Sequence, residues 1–229
     1  MGTLYIVATP IGNLEDITLR ALRLLKEVDL IACEDTRHTG ILLKHFNIHS
    51  PAGGLVSFHQ HSKLQKIQFL VSELQNGKDI ALVTDAGTPG ISDPAGALID
   101  SAIQSKIEVV PVSGVSALTT LVSVSNKPMD KFLFLGFLPK KKGRQTLLKN
   151  ISKYDFPVII FESPNRVLKT LAEFKEVLGD RFVIVGRELT KKFEEIYRGK
   201  ISEVLPKIRP QGEFVILINH YSRAKAHDM

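Results

Sequence analysis

Three loops rich in glycine and proline have the composition of ligand-binding loops. Their sequences are TPIGN at residues 9–13, DAGTPGISDP at residues 85–94 and SGVSA at residues 113–117. Glycine lets a ligand approach the backbone, whose N–H and C=O groups then serve as hydrogen-bond partners. None of the loops has the glycine spacing of a phosphate-binding or dinucleotide-binding turn. We therefore expect them to bind another kind of small ligand, although simple tight turns would also explain the first and third loops.

Clusters of charged residues give a second chemical signal. Carboxylates lie beside arginines in EDTR at residues 34–37, ESPNR at residues 162–166 and GREL at residues 186–189. Such pairs suit proton transfer or the binding of phosphate. Helix capping is the alternative role for Asp35 and Glu162, because each precedes a segment that starts a new element.

The densest basic segment is KKKGR at residues 140–144. A run of this kind holds phosphates in a salt-sensitive way that ignores nucleotide sequence, or it is only a solvated loop. The charge is also uneven, since residues 1–118 contain 9 Lys/Arg and 12 Asp/Glu, whereas residues 119–229 contain 21 and 12. The basic half indicates a surface that faces a polyanion, although a surplus of lysine is common in soluble proteins.

The elements that must position these residues alternate between short β-branched runs and amphipathic helical segments. The predicted strands are residues 4–8, 29–33, 80–84, 108–112, 132–137, 158–161, 182–187 and 214–219. The predicted helices are residues 18–27, 62–76, 95–104, 116–125, 144–153, 167–178 and 201–208. Gly77 is placed to end the second of these helices. The alternation is typical of an α/β fold, in which loops at the carboxyl ends of strands form ligand crevices.

The alternation pauses at Asn126, Lys127 and Pro128, which predicts a boundary between an N-terminal domain at residues 1–125 and a C-terminal domain at residues 126–229. A chain of 229 residues with 44% hydrophobic residues can bury a normal core in each domain. A cleft between two domains is a usual place for a ligand. We expect the ligand of the glycine-rich loops to bind in such a cleft.

The chain has a single cysteine, Cys33, which allows neither an internal disulfide framework nor a cysteine metal cluster. His59 and His61 stand two positions apart without a fixed carboxylate or cysteine partner, so we expect no metal site. The N-terminus has no signal-peptide pattern, and no apolar run is long enough to span a bilayer. We expect a soluble, cytoplasmic protein with no membrane partner.

Five motifs occur in order over nearly the whole chain: LYIVATPIGNLED at residues 4–16, ACEDTR at 32–37, TDAGTPGISDP at 84–94, ESPNR at 162–166 and GRELTK at 186–191. Together they resemble the motifs of the ribosomal RNA small subunit methyltransferase I family, which belongs to the tetrapyrrole methylase superfamily. The resemblance implies two α/β domains with S-adenosylmethionine in the cleft between them, and a homodimer. It also implies methylation of the 2′-hydroxyl of a cytidine in 16S ribosomal RNA of the small subunit.

The same resemblance assigns site residues by motif position. The cofactor contacts that it implies are Pro10, Ile11, Gly12, Asp85, Gly87, Thr88, Ile91, Ser116, Ala117, Phe161, Glu162, Gly212 and Glu213. The residues expected at the RNA, together with the basic segment, are Lys140, Lys141, Lys142, Arg144, Arg166 and Arg187. The candidates for accepting or polarising the hydroxyl proton are Glu34 and Asp35, with Arg37 orienting them or holding phosphate. Other candidates are Glu162 with Arg166 and Arg187 with Glu188, and the sequence does not choose among them.

Two features depart from the family pattern. Ala95 stands where glycine is expected after Asp93 and Pro94, and Gly96 follows it. Family members usually carry a small further segment beyond the strand GEFVIL at residues 212–217, whereas this sequence ends at Met229. We expect any contribution of such a segment to holding the ribosomal subunit to be lacking.

Two other functions remain open from the residues. One is methylation of a tetrapyrrole or another small molecule, because a fold does not fix a substrate. The other is a non-catalytic ribosome-assembly or RNA-binding protein on the same fold. The basic half of the chain favours RNA over a small molecule, and the complete loop at residues 85–94 argues against a protein without a cofactor pocket.

Overall fold

The computed structural model describes residues 1–59, 64–93 and 95–219. The chain divides into two compact units, of which the first is Met1–Ser116 and the second begins at Ala117. Each unit contains one five-stranded sheet. Among the described residues, no helix is both long and apolar enough to cross a membrane. The α/β architecture predicted from the alternation of strands and helices is confirmed.

The sheet of the first unit is entirely parallel, with the strand order β3-β2-β4-β1-β5. Its strands are β1 (Thr3–Val7), β2 (Leu30–Cys33), β3 (Leu55–Ser57), β4 (Ile80–Val83) and β5 (Glu108–Val112). Its helices are α1 (Leu19–Glu27), α2 (Thr36–His45), α3 (Leu64–Gln75) and α4 (Ala95–Gln104), and a 3₁₀ turn covers Leu14–Asp16. Because all five strands run in the same direction, their carboxyl ends lie at the same edge of the sheet, and each connection crosses back over one face.

Helices cover both faces of this sheet, which explains why β2 and β4 are apolar and buried throughout. Leu30 and Ala32 pack with α3 and α4 on one face. Ile31 and Cys33 pack with α1 and α2 on the other. Continuous burial rather than a period of two is therefore the sequence signature of these strands.

Two elements of this unit were missed by the sequence analysis. In α2 only Thr39, Leu42 and Leu43 are buried, and its first turn consists of polar residues, so its apolar face is too short to give a clear helical period. β3 has three residues, all half-buried at the edge of the sheet. Residues 62 and 63, where the third helix was predicted to begin, lie outside the described residues. Gly77, with φ of +90°, follows that helix as predicted.

The sheet of the second unit is mixed, with the order β6-β7-β10-β8-β9. Only β6 and β7 are parallel, and the other pairs are antiparallel. Its strands are β6 (Leu133–Phe137), β7 (Val158–Glu162), β8 (Phe182–Arg187), β9 (Glu195–Lys200) and β10 (Phe214–Ile218). Its helices are α5 (Ala117–Ser123), α6 (Arg144–Ile151), α7 (Val167–Leu178) and α8 (Ile201–Val204), and a 3₁₀ turn follows at Leu205–Lys207.

The core of the second unit lies between its sheet and the helices α6, α7 and α8. Alternate strand residues such as Val158, Ile160 and Ile216 face these helices. On the opposite face, Leu121 of α5 lies against Gly186, where an added Cβ would come within 3.0 Å of its Cδ1. β9 was missed by the sequence analysis because it is an edge strand whose residues are mostly half-buried or exposed.

Candidate functional site

The strand order of the first unit brings the three glycine-rich loops together. β4, β1 and β5 are neighbours, so the loops that follow them leave the same edge of the sheet side by side. A β-bridge joins the first two loops: the Thr9 N–H donates to Gly87 O at 2.9 Å, and the Gly87 N–H donates back to Thr9 O at 3.0 Å. This bridge fixes the TPIGN loop against the DAGTPGISDP loop.

Gly87 is the point at which all three loops meet. Its φ is +86°, a conformation that L side chains rarely adopt. An added Cβ would lie 3.4 Å from Ile11 Cγ2 and 3.7 Å from Val115 O. The Thr88 hydroxyl donates to the same Val115 carbonyl at 2.9 Å and holds the second loop to the third. The loops therefore form one connected surface, with Gly12 exposed and Asp85 and Ile91 half-buried.

Hydrogen bonds among Thr9, Thr84 and Glu34 hold the strand ends from which these loops start. The Thr9 hydroxyl donates to Thr84 O at 3.0 Å, and the Thr84 hydroxyl donates to Glu34 Oε2 at 3.0 Å. The Asp35 N–H donates to Asp85 Oδ1 at 3.1 Å. These bonds connect the carboxyl ends of β1, β4 and β2. The sequence analysis did not identify Thr9 and Thr84, although buried threonines at adjacent strand ends are a signal of such bracing.

Asp93 closes the second loop on itself. Its Oδ2 accepts the Gly90 N–H at 2.7 Å, and its Oδ1 accepts the Ala95 N–H at 2.9 Å at the start of α4. Ala95 is only 2% exposed and packs into the core with Leu98. Alanine in place of the expected glycine therefore adds to the core of this unit. Pro94 lies outside the described residues.

Asp35 and Arg37 form an exposed pair at the start of α2. Asp35 Oδ1 accepts the Arg37 backbone N–H at 2.8 Å and caps the helix, so the capping role considered for this residue is present. The guanidinium of Arg37 donates to both carboxylate oxygens, at 3.1 and 2.6 Å. These hydrogen bonds hold the pKa of Asp35 well below its usual range. The Arg37 side chain is 88% exposed, so its cation faces solvent while Asp35 orients it.

Two further groups of the first unit have simple environments. Burial raises the pKa of the Cys33 thiol, which favours the protonated, unreactive form. His59 is exposed, and His61 lies outside the described residues. No group of three or more histidine, cysteine, aspartate or glutamate side chains within residues 1–59, 64–93 and 95–219 is placed to hold a metal ion.

Glu162 lies in a buried polar network in the second unit, and its side chain is fully buried. Oε1 accepts Arg166 Nε at 2.7 Å and the Ser163 N–H at 2.8 Å. Oε2 accepts the other Arg166 nitrogen at 3.0 Å and the Thr170 hydroxyl at 2.7 Å. The four bonds occupy the four acceptor positions of a carboxylate. All acceptor positions of Glu162 are therefore used in hydrogen bonds within this unit.

The network continues to the basic segment. Arg144 is 6% exposed, and its guanidinium donates to Thr170 Oγ1 at 2.7 Å and to Glu173 Oε2 at 2.6 and 2.8 Å. It also donates to Pro139 O at 3.1 Å, while Arg166 donates to Leu138 O at 2.9 Å. The segment that carries Lys140, Lys141 and Lys142 is thus fixed at its base, and the three lysines are exposed. The sequence analysis missed Thr170, whose signal is a hydroxyl on the apolar face of α7.

Hydrogen bonds and ion pairs also connect the loops around β8. Arg187 is 7% exposed and donates to Gln211 O at 2.7 Å and to Glu195 Oε2 at 2.7 Å. Glu188 Oε1 accepts Lys191 Nζ at 3.0 Å and the Glu213 N–H at 2.9 Å. At Gly212, with φ of +83°, an added Cβ would lie 2.5 Å from the Glu188 side chain.

Phe161 of β7 is half-buried, and its ring centroid lies 4.9 Å from that of Phe134 and 5.6 Å from that of Phe137.

Comparison with known proteins identifies a family for this fold. The family profile of the tetrapyrrole (corrin/porphyrin) methylases matches residues 3–205. A curated relative from Thermotoga maritima, ribosomal RNA small subunit methyltransferase I, is 47% identical over 222 residues, which are 96% of this chain and 99% of the relative. The protein of the same name from Escherichia coli O157:H7 is 45% identical over 235 residues, 100% of this chain and 81% of that protein.

A solved structure has the same fold. The uroporphyrin-III C-methyl transferase of Thermus thermophilus, in complex with S-adenosylhomocysteine, matches with a TM-score of 0.64 at 18% identity, over 94% of this chain and 97% of that one. Identity at this level shows a shared fold and says nothing of a shared substrate.

Proposed function

The chain belongs to the tetrapyrrole (corrin/porphyrin) methylase family, and from that premise we propose that it transfers the methyl group of S-adenosylmethionine to the 2′-hydroxyl of a cytidine in small-subunit ribosomal RNA. The observation that carries the proposal is near-complete alignment, at 45–47% identity, with relatives named as ribosomal RNA small subunit methyltransferases. The basic charge of residues 119–229 supports RNA as the acceptor, because an anionic macromolecule needs a cationic surface.

The loops of the first unit fit such a cofactor. Gly87 is buried and bonds Thr9 through both its N–H and its C=O, so it packs the loops together, whereas the backbone of the exposed Gly12 is accessible to a ligand. The proposed contacts from this unit are Pro10, Ile11, Gly12, Asp85, Gly87, Thr88, Ile91 and Ser116. Asp85 is half-buried and supplies carboxylate oxygens as acceptors, which suit a ligand with hydroxyl and ammonium groups. When bound, S-adenosylmethionine supplies an electrophilic methyl group on a sulfonium.

The residues of this chain contribute mainly by orientation. Alignment of an acceptor oxygen with the methyl group supplies a large share of the rate of such a transfer. We assign Arg37 to a phosphate of the RNA, because its guanidinium is exposed and Asp35 fixes its direction. The lowered pKa of Asp35 makes this carboxylate a weak proton acceptor. Glu34 accepts one hydrogen bond from Thr84 through Oε2, so of these two carboxylates it is the better candidate for accepting the hydroxyl proton.

The RNA surface that we propose is centred on Lys140, Lys141 and Lys142. Their side chains are exposed on a segment that Arg144 and Arg166 anchor at Pro139 and Leu138. Anchoring lowers the entropy lost when a loop binds phosphate. Arg144, Arg166 and Arg187 act in this proposal by holding the surface, since their guanidinium groups are bound to internal acceptors.

We also propose that the enzyme acts in the cytoplasm, where bacterial ribosomal subunits are found, and that it acts as a homodimer, as the resemblance to its family implies. Sedimentation of the purified protein tests the second point. A mass near 25.4 kDa at micromolar concentration would contradict it.

The decisive assay is transfer of labelled methyl from S-adenosylmethionine to purified small subunits, to naked small-subunit RNA and to a porphyrin precursor. We expect label on RNA, and nuclease digestion should release it as 2′-O-methylcytidine. Label on the porphyrin precursor alone would overturn the RNA proposal and keep the cofactor. Absence of binding heat with S-adenosylmethionine in isothermal titration would overturn the cofactor itself.

The basic segment is tested by reversing its charge. A variant with Lys140, Lys141 and Lys142 changed to glutamate should bind subunits at least about tenfold more weakly at low salt and show a shallower salt dependence. A matched control carries three glutamates at the exposed Lys153, Lys169 and Lys175. Equal weakening in both variants would show that only net charge matters.

A further inference from the structure

Three phenylalanine rings meet at the end of β6, on one face of the sheet of the second unit. The ring centroids of Phe134 and Phe137 lie 4.9 and 5.6 Å from that of Phe161, and both pairs are edge to face. Phe134 and Phe161 are half-buried, whereas Phe137 is 56% exposed. The helices α6, α7 and α8 pack on the opposite face, so Phe137 lies outside the core of this unit.

A bulge in β6 turns Phe137 towards this face. Side chains of a strand alternate between its two faces, so two residues three positions apart normally point in opposite directions. Here Phe134 pairs with Ile159 and Phe137 with Phe161, so three steps along β6 match two along β7. Gly136, with φ of +58°, lies in this irregular stretch. Bulges re-aim a side chain in this way, and they are frequent beside active sites.

The segment that follows Phe137 is fixed by two arginines. Arg166 donates to Leu138 O at 2.9 Å, and Arg144 donates to Pro139 O at 3.1 Å. Each guanidinium is itself bound by a carboxylate of the same unit. The exposed ring is therefore displayed on a segment that loses little conformational entropy when a ligand binds.

The surroundings of Phe137 carry a net positive charge. Residues 131–144 contain no aspartate or glutamate, and the lysines at residues 140–142 are exposed. The two anchoring arginines are each neutralised by one carboxylate. Two further carboxylates, beside β8 and β10, share Lys191, which sets one uncompensated negative charge against three lysines. An exposed ring beside a cationic segment matches single-stranded RNA, whose bases stack on aromatic side chains and whose phosphates bind cations.

We propose that Phe137 is a stacking site for one unpaired base of the RNA substrate, with the phosphates of the strand on the lysines at residues 140–142. This inference rests on the proposed function, because it takes RNA as the acceptor. An unpaired base is required, because bases inside a helix expose only their edges. Stacking tolerates any base, so the site holds the strand and adds affinity without reading sequence. The base is held beside Phe161, a cofactor contact that the sequence resemblance implies.

A series of substitutions separates stacking from apolar contact. Phe137→Ala and Phe137→Leu should each weaken binding of small subunits about tenfold, because neither keeps a flat ring. Phe137→Tyr keeps the ring and should bind as the parent protein does. If Phe137→Leu also binds as the parent does, the contact is apolar packing and the stacking site is wrong. S-adenosylmethionine binding and circular dichroism should match the parent protein in all three variants.

The matched control is Phe156→Ala. Phe156 is 46% exposed and precedes β7, so it lies at the other edge of the sheet from Phe137. Its replacement should leave subunit binding unchanged, and equal weakening by Phe156→Ala and Phe137→Ala would overturn the site. Phe137→Ala should also weaken binding by the same factor at every salt concentration, because stacking releases no counterions. A changed salt slope would assign the loss to phosphate contacts instead.

Fluorescence gives an independent measurement, because the chain has no tryptophan. In Phe137→Trp, fluorescence should be quenched by a single-stranded oligoribonucleotide, since a base stacks on the indole. Inorganic polyphosphate, which carries negative charge without bases, should leave the fluorescence unchanged. Equal quenching by both polyanions, or none by bound RNA, would contradict stacking at this position.

The failures of the two proposals are distinguishable. If the parent protein methylates RNA while Phe137→Ala binds RNA normally, only the stacking site is wrong. If Phe137→Ala changes the sedimentation mass together with RNA binding, the ring belongs to a contact between copies of the chain, and the stacking site is again wrong. Absence of methylation by the parent protein overturns the proposed function itself.

Discussion

Replacing Glu162 with glutamine tests whether the buried network of the second unit is structural. The carboxylate is fully buried, accepts four hydrogen bonds and neutralises Arg166, whose side chain is 21% exposed. An amide at this position turns one acceptor into a donor. That donor then faces Arg166 and a Thr170 hydroxyl that already accepts from Arg144. The guanidinium is left without its counter-charge.

The cost follows from these contacts. Removing one partner of a buried ion pair costs about 3–5 kcal/mol. Because Arg166 keeps its bond to Leu138 O and some access to solvent, we expect the lower end, about 3 kcal/mol. For a chain of this size, that loss lowers Tm by about 10 °C. Urea and thermal unfolding followed by circular dichroism measure both values.

The matched control is Glu176→Gln, at an exposed position of α7, which should change the free energy of unfolding by less than about 0.5 kcal/mol. A loss below about 1 kcal/mol in Glu162→Gln would refute the network as a structural support. Below its Tm this variant should bind S-adenosylmethionine within about threefold of the parent (roughly 0.7 kcal/mol). A native-like variant with a much larger loss of affinity would make Glu162 a direct cofactor contact, as the sequence resemblance implies.

Three further predictions concern single positions. Arg37→Gln should raise the pKa of Asp35 towards its ordinary value of about 3.9. In the parent, the Asp35 carboxylate stays ionised as pH falls until the lowered pKa is reached. Carboxyl NMR titration measures both proteins, and identical titration curves would contradict the prediction. Gly212→Ala should destabilise the protein by about 2 kcal/mol, because φ of +83° is strained for alanine and its Cβ displaces the Glu188 side chain from Lys191 and the Glu213 N–H. Gly143→Ala, at a glycine in the left-handed helical region with φ of +82° and open space around an added Cβ, should cost only about 1 kcal/mol in urea unfolding, and equal losses would show that overlap is unimportant. Cys33 should resist thiol reagents in the native state at pH 8 and react in urea; rapid native labelling would contradict its burial.

Local pattern was enough to predict most elements of this fold. The bounds of α4 (Ala95–Gln104), α7 (Val167–Leu178), β5 (Glu108–Val112) and β8 (Phe182–Arg187) agree with the sequence prediction at both ends. Each of these segments has a clear apolar period or run and a turn on either side. The missed elements α2, β3 and β9 are short or lie at a sheet edge, where few residues are buried and the hydrophobic period fades.

The ion-pair partners of buried side chains were harder to predict from the sequence. Arg144 and Arg187 were expected at the RNA because they lie in basic or charged motifs, yet the structure places both guanidiniums in buried ion pairs. Glu173, the partner of Arg144, is 29 positions away in the sequence. No local pattern encodes a contact of that separation, so a buried cation and an exposed one look the same in the sequence.

The sequence by itself determined which loops carry glycine, proline and carboxylates, and that they follow β-branched strands of an α/β fold. Only the tertiary structure decided that β4, β1 and β5 are neighbours, so that Gly87 meets Ile11 and Val115. It alone also decided that three of the four pairings in the second sheet are antiparallel. The physical reason is that hydrophobic period reports how each strand is buried, whereas the order of strands depends on backbone hydrogen bonds and packing between segments far apart in the chain.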